Sequence, residues 1–323
     1  MTAVASSNRA SRARIFLRHE TILAAMLVVA LFGLGLFNDR FLTIDNLLNQ
    51  GRLMTEIGLI ALPMTFVIVT GGIDVSVGAI VGLCAIVLGY SWKNLGFPLP
   101  LAIVFTLVVG AAAGLANGLV ITRIKVPPII TTIATLTLFR GLAEGISQAH
   151  SVRGYPDWFY FLGQGDVFGV PTQLLVLFLA IIVFGVALDR TTFGRTLYAI
   201  GSNETAARFS ALPVERVKLA AYTLSGLMAS LSALVLVSRV TTTRSDMGMG
   251  YELDAIAAVV LGGTSIFGGS GTIWGTVIGA VMIQLLKNGL ALTGVKGDAT
   301  IMVIGVVLIA SVLIASSLQR RRV

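Results

Sequence analysis

The sequence predicts an all-α fold: a polytopic membrane helix bundle with about ten transmembrane segments and both termini in the cytoplasm. Of the 323 residues, 56% are hydrophobic and only 12% are charged, whereas soluble domains carry about 25% charged residues. Apolar runs recur from near residue 21 to near residue 316 without a polar block between them. The chain is therefore expected to form one membrane domain.

The spans follow from the length of each apolar run, because a hydrocarbon core of about 30 Å requires roughly 20 apolar residues per helix. Turns rich in glycine, proline or charge separate the runs. The predicted spans lie near 21–37, 53–70, 74–92, 99–122, 129–146, 171–188, 217–238, 252–265, 271–290 and 299–316. The eighth is too short to cross comfortably, which indicates a partial or tilted helix.

The orientation rests on the excess of lysine and arginine in cytoplasmic loops. An even number of spans places Arg123, Lys125 and the basic loop 189–218 inside. Four arginines fall outside, against this rule: Arg40, Arg52, Arg239 and Arg244. The predicted organisation is a basic cytoplasmic tail at 1–20, a single transmembrane domain at 21–316 and a second basic cytoplasmic tail at 317–323. Topology accounts for the net charge of +8 without nucleic acid.

The amino terminus has the basic lead and apolar core of a signal peptide. The sequence Phe-Asn-Asp-Arg, ending at Arg40, stands where a small-residue cleavage site would be needed. The first apolar run is therefore expected to remain as a membrane anchor.

Glycines form two kinds of pattern. Gly110–Gly114 and Gly275–Gly279 match G-x-x-x-G, which predicts close helix packing in lipid. The stretches Gly71–Gly78 and Gly262–Gly271 share a glycine pair, a polar patch and a following helix rich in small residues. They indicate either two broken helices along a solute path or two glycine-rich turns between spans.

Polar side chains within or beside the spans are candidates for a translocation path, because such groups are costly in lipid. They are Glu56, Asp74, Ser76, Asn117, Arg140, Glu144, Gln284 and Asn288. A structural role stands beside this interpretation for some of them. Arg140 and Glu144 are four residues apart and suitably spaced to pair, and Asp74 is suitably placed to accept the free amides that begin the third span.

Two loops are candidates for contact with partners. The outer loop 147–170 is rich in aromatic residues, which indicates either lipid headgroups or an external partner. The centre of the inner loop 189–218 reads as a short helix with Ser202 and Asn203 at its start, Glu204 in its first turn and Pro213 as its stop. A helix outside lipid needs a packing surface, and a soluble subunit is a natural one.

Sequence signatures of catalysis are missing. The chain has no G-x-x-x-x-G-K-[ST], H-E-x-x-H or C-x-x-C, and only two histidines. We therefore expect no catalytic residues, no metal and no cofactor in this chain, and any ATP hydrolysis must come from another subunit.

Three stretches resemble the permease subunits of ribose-type ABC importers, which also serve rhamnose, xylose, galactose and autoinducer 2. They are Gly71–Gly78, Phe193–Arg208, and Tyr251–Ser265 with its continuation through Gly268–Gly271. The resemblance extends from about residue 20 to 315.

This resemblance implies an inner-membrane permease that carries a monosaccharide or sugar-like solute. It implies a dimer with a second copy or a paralogue, two cytoplasmic ATPase subunits and a periplasmic sugar-binding protein. The ATPase-coupling loop would contain Gly194, Arg195, Gly201, Asn203, Glu204, Ala207 and Arg208. Where relatives have Gly-Ile after the coupling helix, this chain has Ala211 and Leu212, and Pro213 is expected to supply the stop.

The alternatives are an ABC permease for nucleosides or branched-chain amino acids and, from another class, an ion-coupled secondary transporter. The Gly-Gly-Thr-Ser run favours sugars. A secondary transporter should carry an intramembrane proton or sodium site and should work without an ATPase. The sequence leaves the identity of the sugar and the composition of the dimer open.

Overall fold

The computed structural model describes residues 41–295 continuously, with isolated positions between 28 and 39 and between 299 and 309. The predicted tails 1–20 and 317–323 lie outside the described residues. The predicted first and tenth spans are described only at scattered positions.

The regular secondary structure of the described region is helical apart from one small hairpin. Its helices are α1 (Ile44–Val69), α2 (Val77–Lys93), α3 (Leu99–Leu119), α4 (Pro128–Ser147), α5 (Asp157–Gln164), α6 (Thr172–Arg190), α7 (Thr192–Ser202), α8 (Glu204–Phe209), α9 (Val214–Val240), α10 (Tyr251–Leu261) and α11 (Ile273–Leu292). A π-helical turn, Val120–Ile124, extends α3. The strands β1 (Asp166–Val167) and β2 (Val170–Pro171) pair antiparallel.

Six helices of the described region are long and apolar enough to cross a membrane: α1, α3 with its π-helical turn, α4, α6, α9 and α11. This confirms an all-α polytopic membrane fold. The helix α2 has 17 residues and α10 has 11. The short α10 confirms that the eighth predicted segment does not span on its own.

The centre of the bundle is formed by α1, α2 and α9, which are buried over most of their length. Peripheral helices expose apolar side chains instead, including Leu138 and Leu142 on α4 and Phe178 and Leu179 on α6. Lipid is the natural solvent for these faces. Of the polar candidates, Glu56 lies on one of these buried helices, and Asp74 and Ser76 lie at the start of another.

Glycines bring helix backbones into direct contact, as both G-x-x-x-G patterns predicted. A β-carbon on Gly114 of α3 would lie 2.1 Å from the carbonyl oxygen of Tyr222 on α9. A β-carbon on Gly279 of α11 would lie 2.1 Å from the carbonyl oxygen of Ala258 on α10. Neither position accepts a larger residue without separating its helix pair.

The aromatic-rich loop 147–170 contributes to the core as well as to the surface. Tyr155 and Phe159 are buried, and Tyr155 stacks on Trp92 with ring centroids 4.6 Å apart. Trp158 is exposed on the same short helix, and Phe168 is fully exposed at the tip of the β-hairpin. Part of the aromatic content of this loop is therefore explained by packing within the chain.

Residues 241–250, which connect α9 to α10, are non-helical and lie against α2; we call them the re-entrant segment. Gly89 of α2 lies beside Thr243, and Gly78 lies beside the carbonyl of Gly248. Because a helix rises about 1.5 Å per residue, this stretch of the segment covers about 16 Å along α2. The helix α10 then begins within the bundle.

Candidate functional site: the coupling helices and the buried polar clusters

The loop 189–218, which was predicted to be cytoplasmic, folds into two consecutive helices, each with its own cap. Thr191 Oγ1 accepts the Gly194 amide at 3.2 Å and begins α7. Asn203 Oδ1 accepts the Ala206 amide at 2.9 Å and begins α8, with Glu204 in its first turn. The predicted start at Asn203 is confirmed. The prediction for Ser202 is wrong, because this residue ends α7 instead of capping α8.

The end of α8 also corrects the prediction for Pro213. The helix ends at Phe209, and Pro213 instead precedes α9 as its N-cap. Ala211 adopts φ +57°, a left-handed conformation that costs an L-residue about 1–2 kcal/mol. The chain therefore turns at Ala211, the position where the resembling family has glycine.

Two glycines seat α7 against neighbouring backbone. A β-carbon on Gly194 would lie 1.9 Å from the carbonyl oxygen of Leu188. A β-carbon on Gly201 would lie 1.8 Å from the carbonyl oxygen of Val69 and 2.4 Å from the amide nitrogen of Gly269. The Gly269 amide also donates to the Val69 carbonyl at 2.9 Å. Glycine is required at position 201 because three backbone segments meet there.

The two glycine-rich stretches meet beside α7, where a β-carbon on Gly268 would lie 3.0 Å from the amide nitrogen of Gly71. The end of α1 joins this contact through Val69, and the carbonyl of Gly271 accepts from Tyr198 Oη at 2.7 Å. The glycine-rich turns therefore form the surface against which α7 packs. They join α7 to the end of α1 and to the turn that precedes α11.

A charged cluster holds α8 on the start of α9. Glu204 accepts from Arg208 at 2.7 Å and from Lys218 at 2.5 Å, and Arg208 also pairs with Glu215. Burial alone would raise the pKa of Glu204, but the hydrogen bonds and charges of Lys218 and Arg208 outweigh it and lower the pKa. The pKa of Arg208 is raised by its hydrogen bonds to Glu204 and Glu215.

The exposed side of α7 and α8 carries one residue that sequence reasoning missed. Phe209, the last residue of α8, is 89% exposed, and Arg195 on α7 is exposed too. Ala207 faces the other way and is buried. Aromatic residues, phenylalanine included, and arginine are enriched where one protein contacts another.

Three of the predicted path residues form one buried cluster around Asp74. Asp74 Oδ1 accepts from the Ser76 hydroxyl at 2.6 Å and from the Ser76 amide at 3.0 Å. Asn117 Nδ2 donates to the same hydroxyl at 2.8 Å. Ser225 on α9, which sequence reasoning missed, donates to Asp74 Oδ2 at 2.9 Å. Asp74 therefore both orders the start of α2 and links it to α9.

Glu56 belongs to a second cluster, near the C-terminal end of α9. Arg239 Nε donates to Glu56 Oε1 at 2.6 Å and Nη2 donates to Oε2 at 3.1 Å. Tyr251 Oη donates to Glu56 Oε2 at 2.9 Å. Sequence reasoning assigned Arg239 to an outer loop, whereas it lies in the last turn of α9 and satisfies a carboxylate that is 99% buried.

Gln284 and Asn288 form a third cluster, an amide ladder between α11 and the start of α1. Gln284 Nε2 donates to Gln50 Oε1 at 2.7 Å. Asn288 and Asn46 exchange two hydrogen bonds, of 2.9 and 3.1 Å. Gln50 and Asn46 were not predicted, because they precede the apolar run from which the second span was assigned.

Arg140 and Glu144 do not form the predicted pair. Arg140 Nη1 donates to the carbonyls of Ser245 at 2.5 Å and Met247 at 3.1 Å, while Glu144 is exposed. The reason is that the re-entrant segment lies beside α4 with backbone carbonyls to satisfy. The predicted path residues are therefore dispersed over several separate clusters.

The comparisons with known proteins agree with this architecture. Residues 43–312 match the family described as branched-chain amino acid transport system / permease component. The autoinducer 2 import system permease proteins LsrD of Escherichia coli K12, Shigella flexneri and Escherichia coli O157:H7 are 40% identical over 311 residues, covering 94% of this chain and 94% of each relative. The expected ribose-type ABC importer permease is confirmed. The chain therefore belongs to this permease family and is a multi-pass protein of the bacterial inner membrane.

Proposed function

We propose that this chain is the permease through which an ABC importer carries autoinducer 2, or a closely related sugar-like solute, into the cytoplasm. The observation that carries the proposal is the 40% identity to autoinducer 2 import permeases over 94% of both chains. A nucleoside or amino acid substrate is not favoured by these relatives. Hydrolysis of ATP would occur in a separate cytoplasmic subunit, and a periplasmic binding protein would deliver the solute.

The proposed topology has ten spans with both termini cytoplasmic, and a single permease domain at 21–316 contains the coupling loop at 189–218. A second permease, either another copy or a paralogue, would complete the pore. The exposed face of α7 and α8 would contact the ATPase. Closure of the ATPase would press on α7, and Gly201 would pass that displacement to the backbones of Val69 and Gly269.

Reconstitution of the complete importer tests this function. Proteoliposomes that hold the permease pair, its ATPase and its binding protein should accumulate labelled autoinducer 2 only when ATP is present. Accumulation that needs an ion gradient and survives removal of the ATPase would instead establish a secondary transporter.

The coupling role is tested by Glu204→Ala and Arg208→Ala, which remove the charged cluster of α8. Both variants should insert normally and lower uptake several-fold, because α8 loses its anchorage to α9. Arg216→Ala is the matched control, since Arg216 is an exposed arginine in the first turn of α9. Normal uptake by both variants would contradict the coupling role.

A further inference from the structure

The re-entrant segment contains irregular backbone whose polar groups need partners, and the described part of the protein supplies partners on only one of its sides. Irregular backbone at membrane depth is tolerated only where it is buried in protein or lines water. One side of the segment is satisfied by Arg140, which donates to the Ser245 and Met247 carbonyls. Arg140 lies seven residues below the outer end of α4, which corresponds to a depth of about 10 Å.

The other side of the segment is exposed and charged. The side chains of Arg244 and Asp246 are 60% and 52% exposed and form a bidentate pair, with Arg244 Nε donating to Asp246 Oδ1 at 2.9 Å. Met249 is 77% exposed, and Leu253 in the first turn of α10 is 58% exposed. A charged pair at this depth is costly in contact with hydrocarbon.

We propose that the exposed side of the re-entrant segment, with Arg244, Asp246 and Met249, is a wall of the water-filled path along which the solute crosses. The inference rests on the proposed transport function. It places the path on a different surface from the buried Asp74, Glu56 and Gln284 clusters, whose side chains are turned into the bundle.

The chemistry of this wall selects for a neutral solute rich in hydroxyl groups. The guanidinium of Arg244 supplies donors and the carboxylate of Asp246 supplies acceptors, and their charges cancel. A hydroxyl both donates and accepts, so it can bond to either partner without breaking the pair. A strongly charged solute meets one like charge in the pair, whichever sign it carries.

Cysteine accessibility tests the wall independently of the solute. In a Cys84→Ala background, Met249→Cys and Asp246→Cys are introduced into the reconstituted importer and treated with a charged, membrane-impermeant thiosulfonate. The control is Leu179→Cys, on the exposed face of α6 and seven residues from its outer end. We expect both wall cysteines to react as fast as Phe168→Cys on the outer hairpin, and Leu179→Cys to stay unmodified.

Two results would overturn the wall: wall cysteines as unreactive as Leu179→Cys, or wall cysteines that instead cross-link to the second permease and are sealed from water. Reactive cysteines in an importer that takes up no autoinducer 2 would contradict the proposed function and leave the wall standing. Normal uptake with unreactive cysteines would support the proposed function and contradict the wall.

A second readout is the KM for uptake. Arg244→Gln should raise this KM several-fold, and Lys93→Gln, an exposed position at the end of α2, should leave it unchanged.

Discussion

Gly201 and Val69 are in backbone contact, although 132 positions separate them: a β-carbon at position 201 would stand 1.8 Å from the Val69 carbonyl oxygen. The contact joins the last turn of α7 to the last residue of α1, the most buried of the six candidate spans. Because the two main chains touch here, we expect a displacement of one element to move the other.

Gly201→Ala should separate ATP hydrolysis from transport. The added methyl group cannot fit without a backbone shift, because the obstructing atoms belong to main chain and not to a flexible side chain. We expect the reconstituted importer to keep most of its ATPase activity and to lose most of its uptake. Gly185→Ala in α6 is the control, since nothing lies within 4 Å of its β-carbon position. Wild-type uptake per ATP in Gly201→Ala would contradict the mechanical link.

Removing Arg239 alone should destabilise the protein strongly, whereas removing Arg239 and Glu56 together should not. Arg239→Leu leaves a buried carboxylate without its counter-ion, which costs about 3–5 kcal/mol of unfolding free energy. The double variant Glu56→Leu with Arg239→Leu should recover much of that loss. Unfolding in detergent micelles provides the measurement.

The matched control for this pair is Arg52→Leu, which removes an exposed ion pair with Asp166. Surface pairs of this kind contribute about 0–1 kcal/mol. An equal effect of Arg52→Leu and Arg239→Leu would show that burial of Glu56 does not decide the outcome.

The anchorage of α8 should weaken in acid. The pKa of Glu204 is lowered in the folded protein relative to its ordinary value of 4.5, so its contribution is fully present above that value and is lost as the pH falls through the lowered one. Hydrogen exchange in α8 should therefore be independent of pH between 7 and 5, after correction for the intrinsic rate, and should accelerate below pH 4.5. Glu204→Gln should exchange faster at neutral pH and show a smaller acid-dependent step, the remainder coming from Glu215, whose pKa is lowered by its hydrogen bond to Arg208; identical profiles would refute the assignment.

Helix positions were predictable because each apolar run ends in charge, glycine or proline. The prediction of 129–146 differs from α4 by one residue at each end. The second span was placed at 53–70, yet α1 begins at Ile44 with Thr43 as its cap. Its first turns are too polar to count as a span, and they become helical because Asn46 and Gln50 bond to α11.

Partners of buried polar groups were not predictable, because they come from distant parts of the chain. Ser225 has no pattern that marks it as the partner of Asp74, and Arg239 looks like an ordinary loop arginine until Glu56 is placed beside it. Local rules failed at Arg140 for the same reason: the (i, i+4) spacing to Glu144 is a weaker interaction than satisfying the carbonyls of Ser245 and Met247.

The interlocked glycines of α3 and α9 restrict how the importer can change shape. A β-carbon on Gly226 would lie 2.1 Å from the carbonyl oxygen of Gly110, so the two main chains touch along this crossing. Sliding one helix along the other would drive carbonyl against carbonyl. We therefore expect α3 and α9 to move as one rigid body in each transport cycle, with any rearrangement occurring at their contacts with other helices.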